Sequence, residues 1–187
     1  MTIVEKALVF AVNAHSGQRR KGSDTPYILH PAEVAAIAAT MTDDEELLAA
    51  CILHDTVEDT DTTAEDIRRA FGDRVADFVA GDTEEATEDI PRELSWYTRK
   101  EKSLKKLLHS DRNVKILWMS DKLSNMRSFY RLYRAQGDDM WQSFNQKDKN
   151  VQRWYYHSIA DLLKELDNTA AYKEFIYLMN QVFADEP

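Results

Sequence analysis

The sequence predicts an all-α, single-domain bundle of about eight to ten helices, and three observations predict it. Chain breakers are scarce, with 5 glycines and 4 prolines in 187 residues, so few positions interrupt a helix. Helix-start signals recur: Thr2-Ile3-Val4-Glu5, Thr42-Asp43-Asp44-Glu45 and Thr62-Thr63-Ala64-Glu65 all have the capping-box spacing. No stretch alternates apolar and polar residues over the length of a strand, and no internal repeat or heptad array appears.

After Thr2, the apolar positions Val4, Leu8, Ala11 and Val12 share one face, so a first helix is expected to end near His15. Residues 16–30 carry no helical period and read as a loop. Pro31 suits a first helical turn, which places the start of a second helix there, continuing through Val34, Ile37 and Met41. The Thr42 box opens a helix through Leu47, Leu48, Cys51 and Ile52 that reaches His54-Asp55. The Thr62 box opens the next, which stops at Phe71-Gly72 before a further helix through Val75, Phe78 and Val79. Residues 82–95 are acidic and poor in large apolar side chains, and so read as a loop long enough to act as a lid. Then come a helix from near Trp96, a long one over about 114–135 stopped by Gly137, one over about 147–166, and a last through Tyr172, Phe175, Ile176 and Met179.

The length suits one core, so 1–187 is expected to be a single domain. A formal charge of -9 argues against a non-specific grip on nucleic acid, which draws its energy from lysine and arginine. A small anionic substrate needs a local positive cluster, and Gln18-Arg19-Arg20-Lys21 offers one. The single cysteine, Cys51, excludes an intramolecular disulfide. No apolar run approaches a membrane span, and Glu5-Lys6 is unlike a signal peptide. A cytoplasmic protein is expected, with no membrane or nucleic-acid partner, and nothing in the sequence specifies an oligomeric state.

Leu53-His54-Asp55-Thr56-Val57-Glu58-Asp59 sets four ionisable groups at the end of an otherwise apolar helix, where charges need partners. The stripe Val114, Leu117, Trp118 is likewise continued by Asp121 and Asn125, which puts a carboxylate on a buried face. An unpaired buried carboxylate costs several kcal/mol, so Asp121 is expected to face a cation or a tight hydrogen-bond network. A metal shared with His54 and Asp55 satisfies both helices, and His30 is the natural further ligand. Imidazole with carboxylate suits Mn, Fe, Zn or another borderline divalent ion. An ion with open positions lowers the pKa of water, and Glu58 and Asp59 would orient that water and carry protons.

Each residue alone has a plainer reading. His54 and Asp55 serve as a cap or an ion pair, Glu58 and Asp59 as a solvated helix end, and Asp121 as a partner of Lys122 or Arg127. The joint pattern favours the ion. His15, His109 and His157 lack such company and read as structural or surface residues. Cys51 and the cluster Trp154-Tyr155-Tyr156 read as core.

Four segments together resemble one family, in its order. They are Ala14-His15-Ser16-Gly17-Gln18-Arg19-Arg20-Lys21, then Pro26-Tyr27-Ile28-Leu29-His30-Pro31, then Leu53-His54-Asp55-Thr56-Val57-Glu58-Asp59-Thr60, and Ser120-Asp121-Lys122-Leu123-Ser124-Asn125-Met126-Arg127. The family is the RelA/SpoT-type HD hydrolases of guanosine tetra- and pentaphosphate, in particular the small single-domain alarmone hydrolases. Residues 96–100 and Trp154-Tyr155-Tyr156 resemble the small bacterial members. The resemblance implies an HD-type helical bundle that binds Mn(II) through His30, His54, Asp55 and Asp121, with Glu58 and Asp59 activating water. It implies removal of the 3′-diphosphate to give GDP or GTP and pyrophosphate. Arg20 and Lys21 match positions that contact the guanine nucleotide, Asn125 matches a residue beside it, and Lys122 and Tyr155 are further candidates.

Two stretches depart from the family pattern: Gly22-Ser23-Asp24-Thr25 after Lys21, and Ala80-Gly81-Asp82-Thr83-Glu84-Glu85 after Val79. No synthetase segment follows, so synthesis of the alarmone is not expected. Two other functions compete. An HD-type phosphohydrolase for another nucleotide, such as a nucleoside monophosphate or NADPH, shares the metal chemistry, because specificity lies in the pocket wall. A nucleotide sensor without turnover would have lost a ligand or Glu58-Asp59, and all are present.

Overall fold

The computed structural model describes residues 1–83, 91 and 94–184. Helix α1 (Ile3–Ala14) begins with the expected capping box: the Thr2 hydroxyl accepts from the Glu5 amide and the Glu5 carboxylate accepts from the Thr2 amide. Helix α2 (Leu29–Ala38) starts two residues before Pro31, so His30 is helical and not part of the preceding loop. Turns that close on Pro26 and Tyr27 lead the chain into it, and Pro31, third in the helix, still occupies a turn that needs no amide partner.

Two other starts differ from the sequence reading by a residue or two. Helix α3 (Glu45–Leu53) is capped by Asp44 and not Thr42, because the charged carboxylate takes the Glu46 and Leu47 amides while the Thr42 hydroxyl accepts from Asp44. After the short α4 (Thr56–Asp59), α5 (Ala64–Phe71) is capped by Thr63 with Asp66, since the Thr62 hydroxyl accepts from Thr60. Gly72 joins α5 to α6 (Asp73–Asp82) at φ 93°, which a side chain would strain.

The expected lid at 82–95 lies mostly outside the described residues; Asp82 ends α6 and Ser95 precedes α7 (Trp96–Leu108). Next come α8 (Arg112–Gln136) and a 3-10 turn at Gly137–Ser143. The helix expected over 147–166 is divided into α9 (Lys149–Leu162), capped by Asp148, and a 3-10 turn at Lys164–Leu166. Helix α10 (Ala170–Val182) closes the described chain. Among the described residues no strand forms, and Arg19 and Pro26 make one isolated bridge across the 16–28 loop. The fold is the expected all-α bundle.

Helix α8 is the central post because its middle has no wet side. Ile116 to Asp121, Leu123, Ser124 and Met126 are all buried, the signature of an interior helix. Helices α2, α3, α6 and α10 pack around it; α1 covers α3, α5 lies on α6, and α7 lies on α9. Three elements thereby meet at one depth: the start of α2, the α3–α4 junction and the middle of α8. No described helix is long and apolar enough to cross a membrane.

Candidate metal centre and substrate cavity

The α3–α4 junction exists because side chains take the last carbonyls of α3. The His54 ring bonds the Cys51 carbonyl through Nδ1 at 2.8 Å, and the Thr56 hydroxyl donates to the Leu53 carbonyl at 2.6 Å. A carbonyl only accepts, so His54 Nδ1 carries the proton and Nε2 of the neutral ring presents a lone pair. His30 is set the same way. The Ser124 hydroxyl donates to Glu33 at 2.6 Å and therefore accepts from His30 Nδ1 at 2.8 Å, which leaves His30 Nε2 as the free lone pair. Arg127 fixes Glu33 in turn and holds Glu174 with two parallel bonds of 2.7 Å.

Both lone pairs face carboxylates. His30 Nε2 lies 3.4 Å from Asp55 Oδ2 and 3.2 Å from Asp121 Oδ1, and His54 Nε2 lies 3.1 and 3.7 Å from the same atoms. Four ligands about 2.1 Å from one ion stand about 3.0–3.5 Å apart, so these separations are those of a coordination shell. His54 Nε2 is buried and has no hydrogen-bond partner among the described residues, although two carboxylate oxygens stand near it. An orphaned nitrogen among buried carboxylates fits a divalent cation, and His30, His54 and Asp121 form a cluster able to hold one. The carboxylates draw positive charge to this point: burial opposes charge on all three, yet Asp55 and Asp121 hold His54 well above the usual imidazole value, so Nε2 offers its lone pair where a cation takes the place of that second proton. His54 draws Asp55 well below the usual carboxylate value, and Lys122 with the two histidines does the same for Asp121.

A cavity of about 290 Å³ opens on this cluster. Every residue singled out in the sequence for substrate or water lines it: Arg20, Lys21, Glu58, Asp59, Lys122, Asn125 and Tyr155. Arg20 donates to Asn125 at 2.8 Å, and Asn125 donates to Asp121 Oδ1 at 2.7 Å, so the N-terminal loop is tied to the ion's shell. Lys122 donates to Asp121 Oδ2 at 2.5 Å. The plain reading of Asp121 as a partner of Lys122 thus holds for one oxygen while the other faces the histidines. Arg127 pairs with Glu33 and Glu174 instead. Tyr155 and Tyr156 are buried as expected of core residues, yet both also line the cavity. Cys51 is fully buried, and burial pushes its thiol far above the ordinary value.

Several contributors were not singled out from the sequence. The Tyr27 hydroxyl donates to Asp55 Oδ2 and lies 3.3 Å from Asp59 Oδ2, linking the ion cluster's carboxylate to a candidate for handling water. Burial and those carboxylates push its phenol far up. Its ring packs on His15, a buried residue whose Nδ1 bonds Gln18. The spacing held a signal for Glu33 and Ser124, each one turn from a ligand on its own helix. Asp82, Trp96, Arg99, Lys100 and Trp118 also line the cavity, and only tertiary contact reveals them.

The guanosine-3′,5′-bis(diphosphate) 3′-pyrophosphohydrolase MESH1 of Mus musculus is 42% identical over 130 residues, covering 67% of this chain and 69% of that protein. The enzyme of that name from Aquifex aeolicus is 36% identical over 130 residues, covering 68% of this chain, and this chain spans 18% of its length. The GTP pyrophosphokinase rsh of Brucella ovis is 35% identical over 126 residues, with 67% of this chain and 17% of that protein covered. Among solved structures, a metazoan SpoT ortholog described as hydrolysing ppGpp superposes with a TM-score of 0.77 at 24% identity, covering 97% of this chain and 96% of the other. The lmo0812 protein of Listeria monocytogenes superposes at 0.72 with 32% identity, covering 83% of this chain and 99% of its own. The HD domain model matches residues 7–148, a span that holds all four residues of the ion cluster, and the chain belongs to the HD domain family.

Proposed function

We propose that this protein hydrolyses guanosine 3′,5′-bis(diphosphate) and its pentaphosphate counterpart to GDP or GTP and pyrophosphate, as a single catalytic domain acting on the cytoplasmic nucleotide pool. The observation that carries the reading is the gathering of cations in the cavity, where five of them balance the carboxylates Asp55, Glu58, Asp59, Asp82 and Asp121 before an ion adds its charge. In a chain of formal charge -9, Arg20, Lys21, Arg99, Lys100 and Lys122 all line one cavity beside a divalent-cation cluster. That arrangement suits a small, highly anionic substrate and not a nucleic-acid backbone. The names of the Mus musculus and Aquifex aeolicus relatives support the guanosine bis-diphosphate.

His30, His54, Asp55 and Asp121 would hold the ion, for which we favour Mn(II). When bound, the ion supplies Lewis acidity towards a phosphoryl oxygen and an acidified water. A new O–P bond forms at the phosphorus on the ribose 3′-oxygen, and the P–O3′ bond breaks. Glu58 and Asp59 orient the water and take its proton, which passes to the departing 3′-oxygen. The Tyr27 hydroxyl steadies Asp55 and Asp59 relative to each other. Arg20 and Lys21 meet the guanine nucleotide, with the Arg20 guanidinium as a stacking plane for the base and Asn125 holding that guanidinium in place. Lys122 and Tyr155 meet phosphate.

The test is to incubate the Mn-loaded protein with guanosine tetraphosphate, nucleoside monophosphates and NADPH while following pyrophosphate and orthophosphate. Pyrophosphate release from the tetraphosphate is expected. Its absence, or turnover confined to another nucleotide, sinks the reading.

A further inference from the structure

Beyond the ion cluster, the cavity has a corner whose polar atoms are not satisfied within the protein. The Trp118 indole N–H and the Tyr155 hydroxyl are buried with no hydrogen-bond partner among the described residues, and both residues line the cavity. Trp118 is 2% exposed and Tyr155 3% exposed. A buried donor left unpaired gives up its bond to water and gains nothing in return. Two such donors beside one cavity point to a ligand that accepts from both.

The charge around them says what kind of ligand. Lys122 Nζ lies 4.8 Å from the centre of the Trp118 ring and lines the same cavity as Tyr155. One of its three N–H groups goes to Asp121. Lys100 Nζ lies 5.0 Å from the centre of the Tyr155 ring and 5.9 Å from that of Trp96. Asp82 is the carboxylate of this corner: burial pushes it up to about 6 although Lys122 opposes the rise, and its Oδ1 is a third buried polar atom without a hydrogen-bond partner among the described residues. Helices α7, α8 and α9 thus bring two neutral donors and two cations to one place, a set that matches the acceptor-only oxygens of a phosphoryl group.

Position says which phosphoryl group. Lys122 bonds Asp121 Oδ2, and the other oxygen of that carboxylate faces His30. The corner therefore adjoins the ion cluster, and Asn125, which accepts from Arg20, donates to Asp121 Oδ1. A nucleoside held at Arg20, with the attacked phosphorus at the ion, directs its next phosphate to Trp118 and Tyr155.

We propose that Trp118, Tyr155 and Lys122 form a subsite for the outer phosphate of the 3′-diphosphate, the phosphate that does not react. This rests on the alarmone-hydrolase reading. Binding energy from a non-reacting group holds the inner phosphorus in line for attack, so the subsite selects a 3′-diphosphate over a single phosphate ester.

The test uses inorganic pyrophosphate and orthophosphate as probes, titrated calorimetrically into the metal-loaded protein. The wild type is compared with Trp118→Phe and Tyr155→Phe, each of which deletes one donor and keeps a ring. Wild type is expected to bind pyrophosphate at least about tenfold more tightly than orthophosphate, and each variant to lose about tenfold for pyrophosphate alone. Metal content and melting temperature, measured on the same samples, report whether each variant is folded and loaded. Equal pyrophosphate affinity in wild type and both loaded variants overturns the subsite, because the donors then hold only water. Failure of the wild type to release pyrophosphate from guanosine tetraphosphate overturns the functional reading instead, and the probe titrations separate the two.

Discussion

At the residue scale, the site depends on where protons sit. His30 and His54 use Nδ1 on Ser124 and on a backbone carbonyl, which fixes both rings with Nε2 turned to Asp55 and Asp121. Such outer bonds orient ligands and set their basicity. Ligands and water-handling residues are then separable by experiment. Asp121→Ala is expected to leave the protein without stoichiometric metal in elemental analysis. Glu58→Ala is expected to retain metal and lose 10²–10⁴-fold in kcat, the range of a lost general base. A Glu58→Ala protein at full rate would remove Glu58 from the water-handling role.

At the element scale, the α3 start shows how one side chain sets a helix. Asp44 accepts two amides of the first turn and is gripped by Arg74 of α6, which also reaches Glu46. The side-chain bonds from Arg74, then the amide of Leu47, hold the Asp44 carboxyl below its ordinary value of 3.8. Because the folded-state pKa is depressed, its stabilising effect is present above that ordinary value and is lost as pH falls through the folded one. Asp44→Ala is expected to cost about 1 kcal/mol near pH 7, the usual loss of a cap, by chemical denaturation. The gap to wild type should close below about pH 4. A gap that widens in acid would contradict the sign. Gly81 marks another constraint, since a Cβ there would meet the Val114 side chain at 3.1 Å, where α6 packs against α8.

At the scale of the whole molecule, the ion cluster cross-links α2, α3 and α8 through His30, His54 and Asp121. The outer network continues it from Ser124 through Glu33 and Arg127 to Glu174 on α10. An ion that binds only the folded state stabilises by mass action, by about 2.7 kcal/mol at a hundred times its dissociation constant. For a chain of this length that is a rise in melting temperature of roughly 5–10 °C. Adding Mn(II) to chelator-treated wild type is expected to give that rise, and Asp121→Ala none. An equal rise in both would mean that the stabilising ion binds elsewhere.

Much of this was legible from residue order alone. Helix content followed from scarce breakers and recurrent caps, and the candidate ligands followed from charge set on apolar faces, because local propensity and the cost of burying a carboxylate act within a few residues. His30 was legible as a member of the cluster while its helix was not, since the turns at Pro26 and Tyr27 that start α2 obey no periodicity. The caps slipped to Asp44 and Thr63 because several acceptors stood close together and only the three-dimensional chain decided among them. The family resemblance carried the joint meaning of motifs more than a hundred residues apart. What tertiary structure alone decided is the wall of the cavity. Trp118 reads as core in a helical stripe, and Tyr155 in an aromatic cluster. Only the meeting of α7, α8 and α9 leaves their donors buried without partners beside Lys122. Periodicity reports that a side chain is buried, and packing determines what it faces.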